Sequence, residues 1–188
     1  MRLALHPTSA VFACMGCLGS YIAFLNARET NDAWYTSILP VTKRESVLGK
    51  FLLVSSMQVF QLLLSVPFAF LRGALRIPNN PVGLDATLAW YGFGLVLYAL
   101  FDLAFPTAFY SSGYKVGKSF VVAAVPMLIL MVAMESCAHV PALAWLDSCR
   151  PEHLRMQAPL PITGAACYIA TLTLAYRISA SRYERVDL

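Results

Sequence analysis

Five apolar runs, each about as long as a bilayer core is thick, constrain this chain more than anything else in it. A helix rises about 1.5 Å per residue, so a hydrocarbon core of about 30 Å asks for about 20 consecutive apolar residues. Runs of that order occupy 8–25, 51–71, 86–105, 119–138 and 160–178. Hydrophobic residues make up 59% of the 188 and charged ones only 13%, too few to clothe a soluble surface. The expected fold is therefore all-α and integral to the membrane, a polytopic bundle of five transmembrane helices forming a single domain over 1–188. No connection has room for a soluble domain, the longest being the 25 residues of 26–50 and the 21 of 139–159.

The runs differ in ways that matter for packing. The first carries Gly16, Gly19 and Ser20, small residues that let another helix approach closely. The second carries Gln58 and Gln61, with Pro67 near its far end, where a lost intrahelical bond predicts a kink. In the third, Trp90 and Tyr91 stand near one end, at the depth amphipathic rings favour, and Asp102 near the other. The fourth contains Pro126 and Glu135, and the fifth follows Pro159 and Pro161 and ends in Arg177. An acid at the bilayer centre costs about 2.5–3.5 kcal/mol on insertion scales, so such groups face protein or a cavity. Gln58, Gln61 and Asp102 are thus candidates for lining a path across the bilayer or for locking helices together. The plainer alternative for Asp102 and Glu135 is an interfacial acid paired with Lys115, Lys118 or Arg177.

Several function classes fall away. The net charge of +4 is spread among loops with no basic tract, so nucleic acid is not an expected partner. Gly113-Tyr-Lys-Val-Gly-Lys-Ser119 ends like a phosphate-binding loop, but three residues separate its glycines where that loop has four, and Ser112 stands where the first glycine belongs. Cys14 and Cys17 have redox spacing yet sit in an apolar run without histidine or acid, where packing is the simpler role. Near His139 and His153 lie Asp147, Cys149 and Glu152, without recurring ligand spacing and with Pro141 and Pro151 marking an irregular loop. No serine or cysteine in the runs has a histidine base at matching depth. The expectation is a chain with no catalytic residue, metal site or cofactor of its own. The first 25 residues resemble a signal peptide only superficially: Arg2 is followed by His6-Pro7, and no small-residue cleavage site follows, so they read as a retained span.

The longest polar interruption of the N-terminal half is 28–50, which holds seven of the 24 charged residues. Glu29, Thr30, Asn31 and Asp32 offer N-cap candidates and acids for a helix start, and 33–39 could form two amphipathic turns before Pro40 stops them. Thr42-Lys43-Arg44-Glu45 fits a capping box, restarting a helix through Val47, Leu48 and Phe51 into the second run. Trp34, Tyr35 and Ile38 suit a groove on another protein or, equally, the lipid headgroups.

Orientation follows from Lys and Arg. If 26–50 is cytoplasmic, that side holds nine of the 14 bases: Arg28, Lys43, Arg44, Lys50, Lys115, Lys118, Arg177, Arg182 and Arg185. The other side holds Arg2, Arg72, Arg76, Arg150 and Arg155. The expected location is the cell membrane, with the C-terminus cytoplasmic and the N-terminus outside.

Three segments carry a family resemblance. Leu39-Pro40-Val41-Thr42-Lys43-Arg44-Glu45-Ser46-Val47-Leu48-Gly49-Lys50-Phe51 resembles the "LPvsrkeivlaKyl" segment of ABC-2 type transporter permeases, particularly small bacterial ones that include exporters of phenol-soluble modulins and other peptides. Phe105-Pro106-Thr107-Ala108-Phe109-Tyr110 with Gly113-Tyr114-Lys115-Val116-Gly117-Lys118 is similar to their "lPlyykfGyekgr" loop, and 178–188 to their "iSlkiYekrDl" ending. The resemblance implies an export permease that dimerises with itself or with a second permease. Each copy would dock a separate ABC ATPase subunit, and ATP-Mg would bind there. In that family the coupling helix matches Thr30 to Leu39 here. The implied ATPase-coupling residues are therefore Thr30, Asp32, Trp34, Tyr35, Ile38, Leu39, Pro40, Lys43, Arg44 and Glu45. The implied cargo is a peptide, antibiotic or other amphipathic molecule; the alternative is a non-transporting accessory or immunity protein, or a truncated remnant of the fold. The family normally has six spans and this chain starts at the equivalent of the second, which implies a misassigned start, a truncation or a five-span form.

Overall fold

The computed structural model describes residues 7–74, 87–138, 140, 143, 145–146 and 151–185. Seven helices follow in order: α1 (Pro7–Glu29), α2 (Asp32–Ile38), α3 (Lys43–Ala74), α4 (Leu88–Ser111), α5 (Val116–Ala138), α6 (Pro151–Gln157) and α7 (Pro159–Glu184). Among the described residues there is no strand. Four stretches are long and apolar enough to cross a membrane: Lys43–Pro67, Leu88–Ser111, Val116–Met134 and Glu152–Glu184. The 23-residue α1 is a further helix, packed against α3, α4 and α5.

The helices outrun the apolar runs because their ends are set by caps rather than by hydropathy. Thr42 and Glu45 form the reciprocal box: the Thr42 backbone N–H and hydroxyl both donate to Glu45 Oε2, at 2.8 and 2.9 Å, and the Glu45 N–H donates to Thr42 Oγ1 at 3.3 Å. So α3 starts eight residues before the apolar run at 51, and it continues through Pro67 to Ala74. Replacing Thr42 by Ala removes this cap and is expected to cost about 1 kcal/mol, read as a lower melting temperature in detergent. At the other end of the bundle only Ala158, itself in helical conformation (φ −52, ψ −36), separates α6 from α7, and Pro159 starts α7 where a missing N–H costs nothing.

Packing centres on α4, which lies against α7 most extensively and against α5 next. The α4–α7 contact is backbone on backbone. A Cβ built on Gly164 would stand 2.5 Å from the Gly92 carbonyl oxygen, and one on Gly92 would stand 2.7 Å from the backbone of Leu160. Gly16 of α1 is close in the same sense, a Cβ there falling 2.5 Å from the Tyr98 hydroxyl. Of the three small residues expected to let a helix approach α1, Gly16 and Ser20 face the bundle. Gly19 lies beside that face, with nothing within 4 Å of where its Cβ would be. An aromatic column fills the space between: Phe24 meets Phe105 and Phe109 edge-on, with ring centroids 5.2 and 4.9 Å apart, and Phe101 stacks on Phe105 at 5.2 Å.

Large apolar residues cover the outside, among them Phe60 of α3, Ile129 of α5 and Ile162 of α7. On α3 the division is periodic, since Val47, Phe51, Val54, Gln58 and Leu62 are buried while Leu52, Leu53, Met57 and Leu63 are exposed. Such a helix turns one stripe to its neighbours and the rest to hydrocarbon.

The phosphate-loop lookalike is a helix terminus. Gly113 (φ 68) and Tyr114 (φ 63) adopt left-handed conformations after α4, and the Tyr114 N–H returns to the Phe109 carbonyl at 3.2 Å, the long bond of a Schellman cap. The Tyr114 ring packs on Phe109 and Tyr110, and burial pushes its hydroxyl up to about 12, so it stays neutral. The Ser119 hydroxyl is fully buried, 3.1 Å from that of Ser112 and donating to the Lys115 carbonyl at 2.9 Å.

Candidate functional site

The first candidate lies at the end of the bundle that carries α2. Asn31 precedes this helix with a left-handed backbone (φ 51, ψ 40), a conformation asparagine tolerates, and its side chain makes no cap bond. The carbonyl does that work, accepting from the Trp34 N–H at 2.9 Å. Thr30 belongs to the end of α1 rather than to α2: its hydroxyl and its N–H both bond the Asn26 carbonyl, at 2.8 and 2.9 Å. The short helix therefore begins at Asp32, two residues later than the expected Thr30, and Leu39 leaves it in extended conformation before Pro40. Trp34, Tyr35, Ile38 and Leu39 are 60%, 59%, 62% and 56% exposed, with the Trp34 and Tyr35 rings edge-on at 5.2 Å.

Charges tie this exposed element down. Asp32 of α2 pairs with Lys50 of α3 at 2.9 Å. Arg44, the second residue of α3, grips Glu184 at the end of α7 with both arms, Nε at 2.6 Å and Nη2 at 3.1 Å. Beside it, Lys43 stands 5.9 Å over the Tyr183 ring. Arg182 donates to the backbone carbonyl of Thr107 on α4. The ten sequence candidates in 30–45 thus gather at one end of the molecule, Trp34, Tyr35 and Ile38 of α2 on its surface, Lys43 and Arg44 of α3 against α7, and Glu45 in the cap with Thr42.

The second candidate is a polar junction inside the bundle. Gln58 of α3 and Asp102 of α4 are each 1% exposed. The Gln58 amide donates to Asp102 Oδ1 at 2.9 Å and to Ser20 Oγ of α1 at 3.4 Å, while its oxygen accepts from the Tyr168 hydroxyl of α7 at 2.7 Å. Ser20 in turn donates to the Gly16 carbonyl at 3.3 Å. One amide thereby joins four helices. Asp102 meets Gln58 here rather than Lys115, Lys118 or Arg177, because α4 turns it inward at a level above those bases. Its second oxygen makes no hydrogen bond among the described residues. Gln61, three residues along α3 from Gln58, is half-buried, and the Glu135 side chain lies outside the described residues.

Sequence reasoning missed Tyr168, whose one signal was a hydroxyl-bearing ring within an apolar run. It also missed Glu184, 140 residues from its partner. The opposite end is secured by another buried amide, Gln157, which accepts from the Ala89 N–H at 3.3 Å and donates to the Trp145 and Leu146 carbonyls at 2.7 and 3.1 Å. Thr87 adds a bond to the same Leu146 carbonyl at 3.1 Å. Of the residues weighed as metal ligands, His139, Asp147 and Cys149 lie outside the described residues. Among the described ones, no three His, Cys, Asp or Glu side chains come together. Cys17 is buried with its thiol 3.4 Å from the Met127 sulfur, a packing role; the Cys14 side chain is outside the described residues.

Apolar helices wrapped around an internal polar junction, with a short amphipathic helix displayed at one end, define a multi-pass membrane protein. A family model described as "ABC-2 family transporter protein" matches residues 3–184. The chain belongs to that family and is the permease of an ABC transporter, a membrane component that works with an ABC ATPase. No curated protein and no solved structure matches it.

Proposed function

We propose that this permease serves an exporter, and that α2 with the start of α3 receives the push of a separate ATPase subunit. The observation that carries this reading is the cluster Trp34, Tyr35, Ile38 and Leu39, exposed on a short helix that the Asp32–Lys50 pair fixes to a long one. Aromatic knobs on a held element suit an apolar groove, where such anchors contribute most of the binding energy. In this reading α2 and the end of α7 are cytoplasmic, in the cell membrane, and nine of the 14 bases gather on that side. The chain hydrolyses nothing itself and binds no cofactor; ATP-Mg belongs to the ATPase. Two permeases, identical or different, enclose the path, and α1 counts as a fifth span. The cargo is a peptide or another amphipathic molecule. Gln58 and Asp102, sealed within one chain, act as a lock between helices, and Gln61 is the sequence candidate left for the path.

Association with the ATPase tests this directly. A tagged chain is expected to copurify with an ABC ATPase from its native cells, and the double variant Trp34→Ala, Tyr35→Ala to lose it while melting at the unaltered temperature. Retention of the ATPase by that variant would remove α2 from the contact.

A further inference from the structure

The contact between α3 and α7 is a ladder with regular rungs. The first is Arg44 with Glu184, a two-armed ion pair. Seven residues further along α3, Phe51 meets Tyr176 edge-on with ring centroids 6.1 Å apart. Another seven bring Gln58 to Tyr168 at 2.7 Å. On α7 the matching positions fall eight apart and in descending order, at 184, 176 and 168, so the two helices run antiparallel. The rungs differ in chemistry but share one face, and Val47 and Val54 are buried along the same stripe. From Arg44 to Gln58 the ladder extends about 21 Å at the rise of an α-helix, roughly two-thirds of a hydrocarbon core.

We infer that α3 and α7 move as one body, so that Arg44 and Glu184 are positioning residues of the coupling apparatus and the last turn of α7 belongs to it. This rests on α2 being the ATPase contact. A push on α2 enters α3 through Asp32 and Lys50. Were α3 to tilt alone, it would break an ion pair, a ring contact and a buried hydrogen bond together, taking the buried Gln58 amide from its partners Tyr168 and Asp102, where unpaired polar groups are costly. Moving α7 with it keeps all three rungs. Through the glycine contact with α4, α7 then carries the displacement to the opposite end of the bundle. Packed interfaces of this kind shift as units rather than deform.

The test fixes the first rung covalently. In the full chain with serine at its native cysteines, Arg44→Cys and Glu184→Cys are joined by a short bifunctional maleimide, after purification with the copurifying ATPase and reconstitution in lipid nanodiscs. Two readouts follow. ATP turnover of the linked complex is expected to show no loss against the same protein left unlinked, which controls for folding. Spin labels on exposed Leu63 of α3 and Ile169 of α7, in a separate pair of variants, should keep one distance distribution with and without trapped nucleotide. Loss of turnover on linking, or a nucleotide-driven change in the Leu63–Ile169 distance, overturns the inference while leaving the ATPase contact in place. If no ATPase copurifies with the unaltered chain, that contact fails and the inference falls with it. A charge reversal gives a further readout: Glu184→Arg should lower turnover, and adding Arg44→Glu should restore it. Absence of that rescue also counts against the role of the pair.

Discussion

Gly164→Ala should destabilise the bundle by about 1–3 kcal/mol, the usual cost of forcing a methyl group into a filled core. The added carbon would stand 2.5 Å from the Gly92 carbonyl oxygen, well inside van der Waals contact, and that oxygen is backbone in the second turn of α4 rather than the end of a movable side chain. Relief requires α7 to draw away from α4, and this is the largest helix contact in the molecule. Melting in detergent, followed by loss of helical circular dichroism, measures the effect. Gly19→Ala serves as the comparison, because its new methyl group meets nothing within 4 Å, and alanine is the better helix former. A Gly164→Ala chain that melts with the unaltered protein would mean that α4 and α7 are further apart than described.

Gln58→Leu should be the most damaging single change inside the junction. It deprives Asp102 of the Gln58 amide donor and the Tyr168 hydroxyl of the Gln58 oxygen, both at depth. A hydrogen bond between membrane helices contributes about 0.6 kcal/mol on average and about 1.7 at most. Stranding a carboxyl group in hydrocarbon is worth more, about 2.5–3.5 kcal/mol on insertion scales. The second term dominates, and it makes a test possible. Removing both partners leaves no carboxyl group stranded, so Gln58→Leu combined with Asp102→Leu should be more stable than Gln58→Leu alone, even though the Tyr168 hydroxyl has lost Gln58 in both. A double-mutant cycle on melting temperatures reads the difference. Simple additivity of the two changes would mean that Gln58 and Asp102 do not interact.

How far these features could be read from sequence depends on how far apart the interacting residues are. The box of Thr42 and Glu45 was legible because both partners lie within one turn, and so was the break at Pro40. Thr30 was assigned to the wrong helix for a related reason. Its hydroxyl can cap forward or bond back to a carbonyl four residues earlier, and the choice of Asn26 depends on where α1 happens to end. The cost of burying Asp102 showed that it needs company but not which residue supplies it, since Gln58 is 44 positions away and Tyr168 lies on the last helix described. Gly92 and Gly164 carry no side chain to advertise their meeting. In the segment 28–50, the exposed faces of Trp34, Tyr35 and Ile38 followed from pattern, whereas the ties of Lys50 to Asp32 and Arg44 to Glu184 required the fold.

The glycine contact has a bearing on biosynthesis. Gly92 leaves the ribosome about 70 residues before Gly164, which at about 5–20 residues per second is a wait of roughly 4–14 s. During that interval α4 is in the membrane with its Gly92 face bare, because the helix that covers it, α7, is made only after α5 and α6. Lipid cannot fill a backbone groove as closely as another backbone does. Until α7 arrives, the nascent chain therefore offers insertion factors and membrane proteases a distinct intermediate, and any delay or stop within α7 should send the polypeptide to degradation.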